Sequence, residues 1–369
     1  MSILSGIKII EIEGIGPGPF CGMQLADLGA DIILIQRPTP QTAKSDPSYS
    51  TSVLNRGKRI IQLNLKDPQH QQQVKELLRH ADGLIEGMRP GVMERLGLGP
   101  EICLKQNPKL VYGRVTGWGQ TGPLAQSAGH DLNYIGLSSA LWYSGRPGDA
   151  PVAPPTLIGD IGGGALHLTI GMLAAIFNAY RTGKGDVIDA AMIDGSANMM
   201  NLLFSSRANG RFSNERGKSL LDGPHWYDSY QCSDNKFVTI GALEPKFYQL
   251  LLSKLGLSAD KDFADQLDSE KWPVQKDKLS QIISQHSQSH WCGLLEGSDA
   301  CFAPVLDPDQ AANHPHNRAR QVFSTRNDNL EANPAPRFRN HPFTTPDNAR
   351  VVTCDEVLGL WSSQAQVQR

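Results

Sequence analysis

Short runs of β-branched and aliphatic residues alternate with segments of helical spacing through the first 190 residues, and this alternation is the strongest structural signal in the chain. Ile7-Lys8-Ile9-Ile10-Glu11-Ile12 predicts a strand, residues 14–18 a turn, 20–28 a helix, and Ala30-Asp31-Ile32-Ile33-Leu34-Ile35 a second strand. The alternation continues with a strand at 59–65, a helix at 71–79, a strand at 83–86, a further helical stretch and a strand at 110–115. Strands separated by helices call for a parallel sheet covered on both faces. A long apolar helix at 162–180, the turn Thr182-Gly183-Lys184-Gly185, a strand at 186–190 and a helix at 196–205 complete this part.

Polar, glycine-containing sequence at 206–223 then breaks the pattern. Beyond it, 231–240 reads as two strands around the Asp234-Asn235 turn and 245–255 as a helix. Asn333-Pro334-Ala335-Pro336-Arg337 is a second joint, after which 353–364 is again helical and returns to the first domain. The expected organisation is a large α/β domain at 1–190, a linker at 191–222, a small α+β domain at 223–325, and a return linker with a C-terminal helix at 326–369.

A chain of 369 residues is long enough for two such cores. With 35 basic and 37 acidic residues, the net charge of -2 gives nucleic acid or an anionic membrane no hold, and a small molecule is the better expectation. No continuous apolar run of membrane length and no cleavable leader is read, which predicts a soluble, cytoplasmic protein without a membrane span. The six cysteines, with no C-x-x-C pair, predict free thiols, and Cys21 among apolar neighbours predicts packing. His314 and His316 flank a proline in what reads as a solvated loop, so no metal centre is expected. The turn Gly14-Ile15-Gly16-Pro17-Gly18-Pro19 lacks dinucleotide-binding spacing.

The candidate chemistry lies in Gly129-His130-Asp131-Leu132-Asn133-Tyr134 and in Asp160, which precedes Ile161-Gly162-Gly163-Gly164. Each segment offers one proton carrier beside flexible glycine backbone. Two different carriers facing one carbon suit a cofactor-free racemase, because each accepts the proton the other returns. Alone, His130 reads equally as a structural histidine and Asp160 as a helix cap. The glycines after Asp160 read either as room for a ligand or as tight helix packing. Glu244, just ahead of Pro245, is a helix cap or a functional acid, and His167 reads as core. Arg56, Lys58 and Arg59 place three cations near a strand, either to steer phosphates or as a surface loop.

Residues 6–38, Asn55-Arg56-Gly57-Lys58-Arg59, Arg89-Pro90-Gly91-Val92, Gly117-Trp118-Gly119-Gln120-Thr121-Gly122-Pro123, the His130 motif and Ala242-Leu243-Glu244-Pro245-Lys246-Phe247-Tyr248 resemble the α-methylacyl-CoA racemases of the family III CoA-transferase superfamily. The resemblance covers nearly the whole chain. It implies an α/β large domain with a parallel sheet, a smaller α+β domain and an interlocked homodimer. It further implies that His130 and Asp160 are the acid/base pair, and that Glu244 approaches the histidine from the partner subunit. Coenzyme A contacts are implied at Arg37, Leu63, Asn64, Leu65, Lys66 and Arg89, and at Gly129, His130, Asp131, Leu132, Asn133 and Tyr134. Acyl-CoA is then the substrate and no further cofactor is required. A transferase using Asp160 as nucleophile, and a scaffold without chemistry, are the competing readings. Asn64 stands where relatives often carry Asp, and the end at Gln368-Arg369, without a peroxisomal tripeptide, argues for the cytosol.

Overall fold

The computed structural model describes residues 2–38, 52–344 and 346–367; the reading of the chain end at Gln368 and Arg369 lies outside them. The chain divides into a large unit, residues 1–141, 153–200 and 324–369, and a small unit, residues 142–152 and 201–323. The large unit therefore extends ten residues beyond the boundary expected at 190. The reason is packing: a Cβ on Gly195 would sit 1.9 Å from the Gly163 carbonyl oxygen, so the helix Met192–Met199 lies hard against the glycine-rich segment before it. The expected single helix at 196–205 is instead two, Met192–Met199 and Asn201–Ala208. Residues 142–152 join the small unit through Arg146, which pairs with Asp228, and through Tyr143, whose ring meets Phe212 edge-on.

In the large unit, β1 (Lys8–Ile12), β2 (Asp31–Gln36), β3 (Lys58–Gln62), β4 (Gly83–Glu86), β5 (Val111–Thr116) and β6 (Val187–Ala191) form a wholly parallel sheet in the order 3-2-1-4-5-6. Side-chain alternation sorts the strands' residues between two cores. Ile9 and Ile32 face one layer with Leu25, Leu168 and Met172; Ile10 and Ile33 face the other with Leu77 and Trp361. The helix Pro17–Asp27 begins three residues earlier than the apolar spacing indicates, because proline is tolerated in the first turn, where its missing N–H costs nothing.

Arg56, Lys58 and Arg59 are not available to steer a ligand. Arg56 is buried against Asp27, with Glu331 at 3.7 Å; Lys58 is fully buried against Glu11; and Arg59 pairs with Asp31. Both sequence readings of this cluster fail, since each cation has an acid opposite it that the linear sequence does not reveal.

The small unit carries β7 (Tyr227–Gln231), β8 (Phe237–Gly241) and β9 (Phe302–Val305) in an antiparallel sheet, backed by the helices Pro245–Lys254, Trp272–Ile283 and Gln288–Leu295. His314 Nε2 lies 2.7 Å from Glu296 Oε1. The hairpin β10 (Phe323–Arg326) and β11 (Asn329–Ala332) then leads back to the large unit. There β12 (Arg350–Val351) adds to the edge of β3 in parallel.

Among the described residues, one helical stretch, Leu157–Thr182, is long and apolar enough to cross a membrane by length and composition alone. Its inner side packs against β5 and β6, with Leu168 and Met172 fully buried.

The C-terminal helix Cys354–Val367 closes one face of the large sheet with Trp361, which is fully buried. The indole N–H donates to Asp31 Oδ2 at 2.7 Å, and Lys8 Nζ donates to the Trp361 carbonyl at 3.1 Å. Truncating a buried tryptophan costs about 3–5 kcal/mol. Trp361→Ala should therefore lower the denaturant midpoint of the large unit by a corresponding amount in urea unfolding. An unchanged midpoint would show that the helix does not complete the core.

Candidate active site

Chain direction across the sheet reverses at β1, whose neighbours are β2 and β4. Loops leaving the carboxyl ends of two such strands diverge, and open α/β sheets take ligands in that crevice. A cavity of about 360 Å³ occupies it here. Gly16 from the β1 loop, Arg89 from the β4 loop and Trp118 from the β5 loop line it, together with His130, Asp160 and Met192.

His130 immediately precedes the helix Asp131–Leu137 in extended backbone, and its N–H donates to Asn133 Oδ1 at 3.0 Å. The Tyr134 hydroxyl donates to the Gly129 carbonyl, closing the loop below the histidine. Trp118 packs edge-on against the Tyr134 ring, with centroids 4.8 Å apart. Glycine at 117 is required by this stack, since a Cβ there would lie 2.0 Å from the ring. The loop is thus locked from beneath while the imidazole stays exposed.

Asp160 does not cap a helix, as one sequence reading had it; it lies inside one. Residues Leu157–Leu166 form a π-helical segment, with the Ile161 N–H reaching back five residues to Thr156 O at 3.2 Å. Wide turns of this kind accumulate at functional sites. Thr156, held at φ 59°, donates its hydroxyl to Asp160 Oδ2 at 2.7 Å. Burial raises the proton affinity of Asp160 above the ordinary aspartate value; the Thr156 hydrogen bond opposes this, the charge of Asp131 adds to it, and His130 counters it. A protonated carboxyl is the form an acid catalyst needs.

The three glycines after Asp160 are spent on packing rather than on room for a ligand. A Cβ on Gly163 would come within 2.6 Å of Met192 O, and one on Gly164 within 2.9 Å of Met192 Cγ. His167 is structural too, its Nδ1 lying 2.8 Å from Gly162 O. The Cys21 thiol is buried and pushed up to about 12 by desolvation, which leaves it unreactive.

Among the expected coenzyme contacts, Arg37 directly follows β2, residues 63–66 follow β3, and Arg89 follows β4, so all leave the carboxyl edge of the sheet. Arg37, Asn64, Lys66 and Arg89 are exposed there. Asn64 Oδ1 accepts the Lys66 N–H at 3.1 Å, a turn in which an aspartate oxygen would serve equally. Leu132 and Asn133 are exposed, whereas Tyr134 is buried. Asp131 departs from expectation: its side chain is only 8% exposed, and Oδ1 accepts the N–H groups of Gly159 and Asp160.

Glu244 lies in the small unit, exposed, at the start of the helix Pro245–Lys254, and its side chain makes no capping hydrogen bond. The bland reading of that carboxylate is therefore not realised. Sequence reasoning missed Thr156 and Met192. Thr156 carries a faint signal, four residues ahead of Asp160, but nothing in sequence marks Met192 as a cavity residue.

The family profile described as CoA-transferase family III matches residues 4–352. The chain is 40% identical to the α-methylacyl-CoA racemase of Homo sapiens over 92% of its length and 87% of that protein. It is 33% identical to the acetyl-CoA:oxalate CoA-transferase of Acetobacter aceti over 86% of this chain and 84% of that one. A crystal structure of a CAIB/BAIF family protein from Brucella suis superimposes with a TM-score of 0.81 at 24% identity, covering 98% and 99% of the two chains, which shows the shared fold.

The raised proton affinity of Asp160 has a thermodynamic sign. The folded chain holds this proton more tightly than the unfolded chain, so the associated stability is fully present below the unfolded value, near 3.8, and is lost as pH rises through the folded one. Asp160→Asn should accordingly raise the melting temperature near neutral pH, with the gain vanishing at the acid end of that window. Equal melting temperatures at both ends would remove the case for a strained carboxylate.

Proposed function

This chain belongs to CoA-transferase family III, and on that footing we propose that it is a racemase interconverting (R)- and (S)-2-methylacyl-CoA thioesters by 1,1-proton transfer. The observation that carries the reading is the presence of one imidazole, His130, and one carboxyl of raised proton affinity, Asp160, in a single cavity at the sheet's crossover. A transferase needs the carboxylate alone, as a nucleophile. An imidazole in the same cavity is what proton exchange on two faces of one carbon requires.

In the proposed cycle, His130 takes the α-proton of one epimer, and the electron pair moves into the thioester carbonyl to give an enolate. Asp160 then delivers its proton to the opposite face; the reverse direction exchanges the two roles. The thioester acidifies the α-carbon and the side chains move the protons, so no additional cofactor is needed. Arg37, Lys66 and Arg89, all leaving one sheet edge, match the phosphates of coenzyme A.

The working form is proposed to be an interlocked homodimer in which Glu244 of the partner subunit approaches His130. Support comes from the outer face of the helix His167–Thr182, where Ile170, Phe177 and Tyr180 are each 64% exposed, an apolar surface that a second subunit would cover. The unspent carboxylate of Glu244 is consistent with a role outside its own helix.

Incubating a single 2-methylacyl-CoA epimer in deuterated water tests the chemistry. Wild-type enzyme should wash deuterium into the α-position and form the other epimer without an acceptor acid, and His130→Ala and Asp160→Ala should each abolish net epimerisation. Coenzyme A transfer to an added acid, with no α-exchange, would install the transferase reading instead.

Shared sites are tested by complementation. Co-refolding His130→Ala with Glu244→Ala chains should recover activity well above either parent, because a mixed dimer holds one undamaged site. A fully active monomer in sedimentation at assay concentration would refute the assembly.

A further inference from the structure

The π-helical segment Leu157–Leu166 has an unusual end. Its N-cap residue, Thr156, makes no capping hydrogen bond, because the hydroxyl that would serve is turned onto Asp160 Oδ2. The first N–H groups of a helix have no acceptor within it, and leaving them buried without one costs stability. Here the acceptor comes from a different helix. Asp131 Oδ1 takes the Gly159 N–H at 2.6 Å and the Asp160 N–H at 2.8 Å.

Asp131 is also the residue next to His130, whose own N–H is fixed on Asn133 Oδ1. One buried carboxylate therefore joins the backbone of the proposed base to the backbone of the proposed acid. The residue at 159 must be small for this to happen. A Cβ there would stand 2.7 Å from Asp131 Oδ1 and 3.1 Å from Ile135 Cγ2.

We propose that Asp131 is a positioning residue that sets the placement of Asp160 relative to His130 by capping, from the helix beside the histidine, the helical turn that bears the aspartate. Its negative charge acts in the same place, favouring the protonated form of Asp160. Geometry and charge come from the same side chain, and they can be separated. Asparagine keeps an acceptor oxygen at the Oδ1 position and loses the charge, whereas alanine loses both.

The kinetic part of the test rests on the racemase reading; the backbone part does not. In amide hydrogen exchange of the full-length protein, the peptide containing Gly159 and Asp160 should stay protected in wild type and Asp131→Asn and exchange faster in Asp131→Ala. Misplacement of a reacting group by about 1 Å costs on the order of 100-fold in rate, so Asp131→Ala should lose roughly that factor in kcat with KM changed by less than about threefold. Asp131→Asn should recover most of the rate while, with the epimer on which Asp160 acts as the acid, the alkaline limb of its kcat/KM profile moves to lower pH, a shift that a purely structural role would not produce. If Asp131→Ala does not fold, Gly159→Ala provides a second route, since its Cβ displaces the Asp131 oxygen, and it should reproduce the alanine phenotype.

Unchanged protection in both Asp131→Ala and Gly159→Ala would overturn the proposal. So would a variant whose KM rises while kcat holds, which would make Asp131 a coenzyme contact. Wild-type protein that performs no α-exchange, yet shows the expected protection pattern, would sink the racemase reading and leave the positioning role standing.

Discussion

A lysine and a glutamate with no solvent contact hold the working edge of the large unit in place. Lys58 Nζ, on β3, lies 2.9 Å from Glu11 Oε1 on β1, spanning the intervening β2, and donates a further bond to the Pro19 carbonyl at 3.0 Å. Removing two charges from water is costly, and the pair is tolerable only because each neutralises the other. Burial pushes the Glu11 carboxyl upward and Lys58 pulls it back. Glycine at 22 follows directly, because a Cβ there would sit 1.8 Å from Glu11 Oε2. The helix Pro17–Asp27 can therefore lie close on the sheet, and its first turn carries Gly16 to the rim of the cavity. Gly16 is held at φ 66°, where a Cβ would stand 3.5 Å from Asp160 Oδ2. One buried ion pair thus orders the β1 loop on which the aspartate's surroundings depend.

Much of this architecture was legible in the sequence. The β-rich runs of the large unit are short, bounded by turn residues and separated by helical spacing, so local signals sufficed for β1 to β6. The edge strand β12 was missed because two residues carry no periodicity. Extending the large unit to residue 200 depended on a glycine-to-backbone contact between segments some thirty residues apart, which no local pattern encodes. The Arg56, Lys58 and Arg59 cluster misled for a related reason: sequence shows a cation but not the acid folded onto it.

The site was legible as residue types and not as geometry. His130 and Asp160 do share a cavity, yet reading the aspartate as a cap assumed α-helical spacing, and the π-helical turn places it inside the helix instead. Asp131 was legible only as part of a motif; that its carboxylate turns inward follows from the missing side chain at Gly159, twenty-eight residues away. Relatives named as racemase and as transferase match this chain in sequence at comparable coverage. For Asp160, the local field bears on which chemistry its carboxyl suits. Desolvation and a neighbouring negative charge favour an acid that carries a proton, whereas a nucleophile must be ionised.

The discontinuity of the large unit has a consequence for how the protein is made. Six strands of its sheet are complete by residue 191, but the face that receives Trp361 stays open until the last residues of the helix Cys354–Val367 have left the ribosome. The small unit, apart from residues 142–152, is continuous from 201 to 323 and is synthesised entirely within that interval. Nascent chains fold by units as each becomes complete. The order of folding is thereby inverted relative to the order of synthesis: the unit begun first is finished last, and its exposed apolar face is the surface that a chaperone would have to shield during translation.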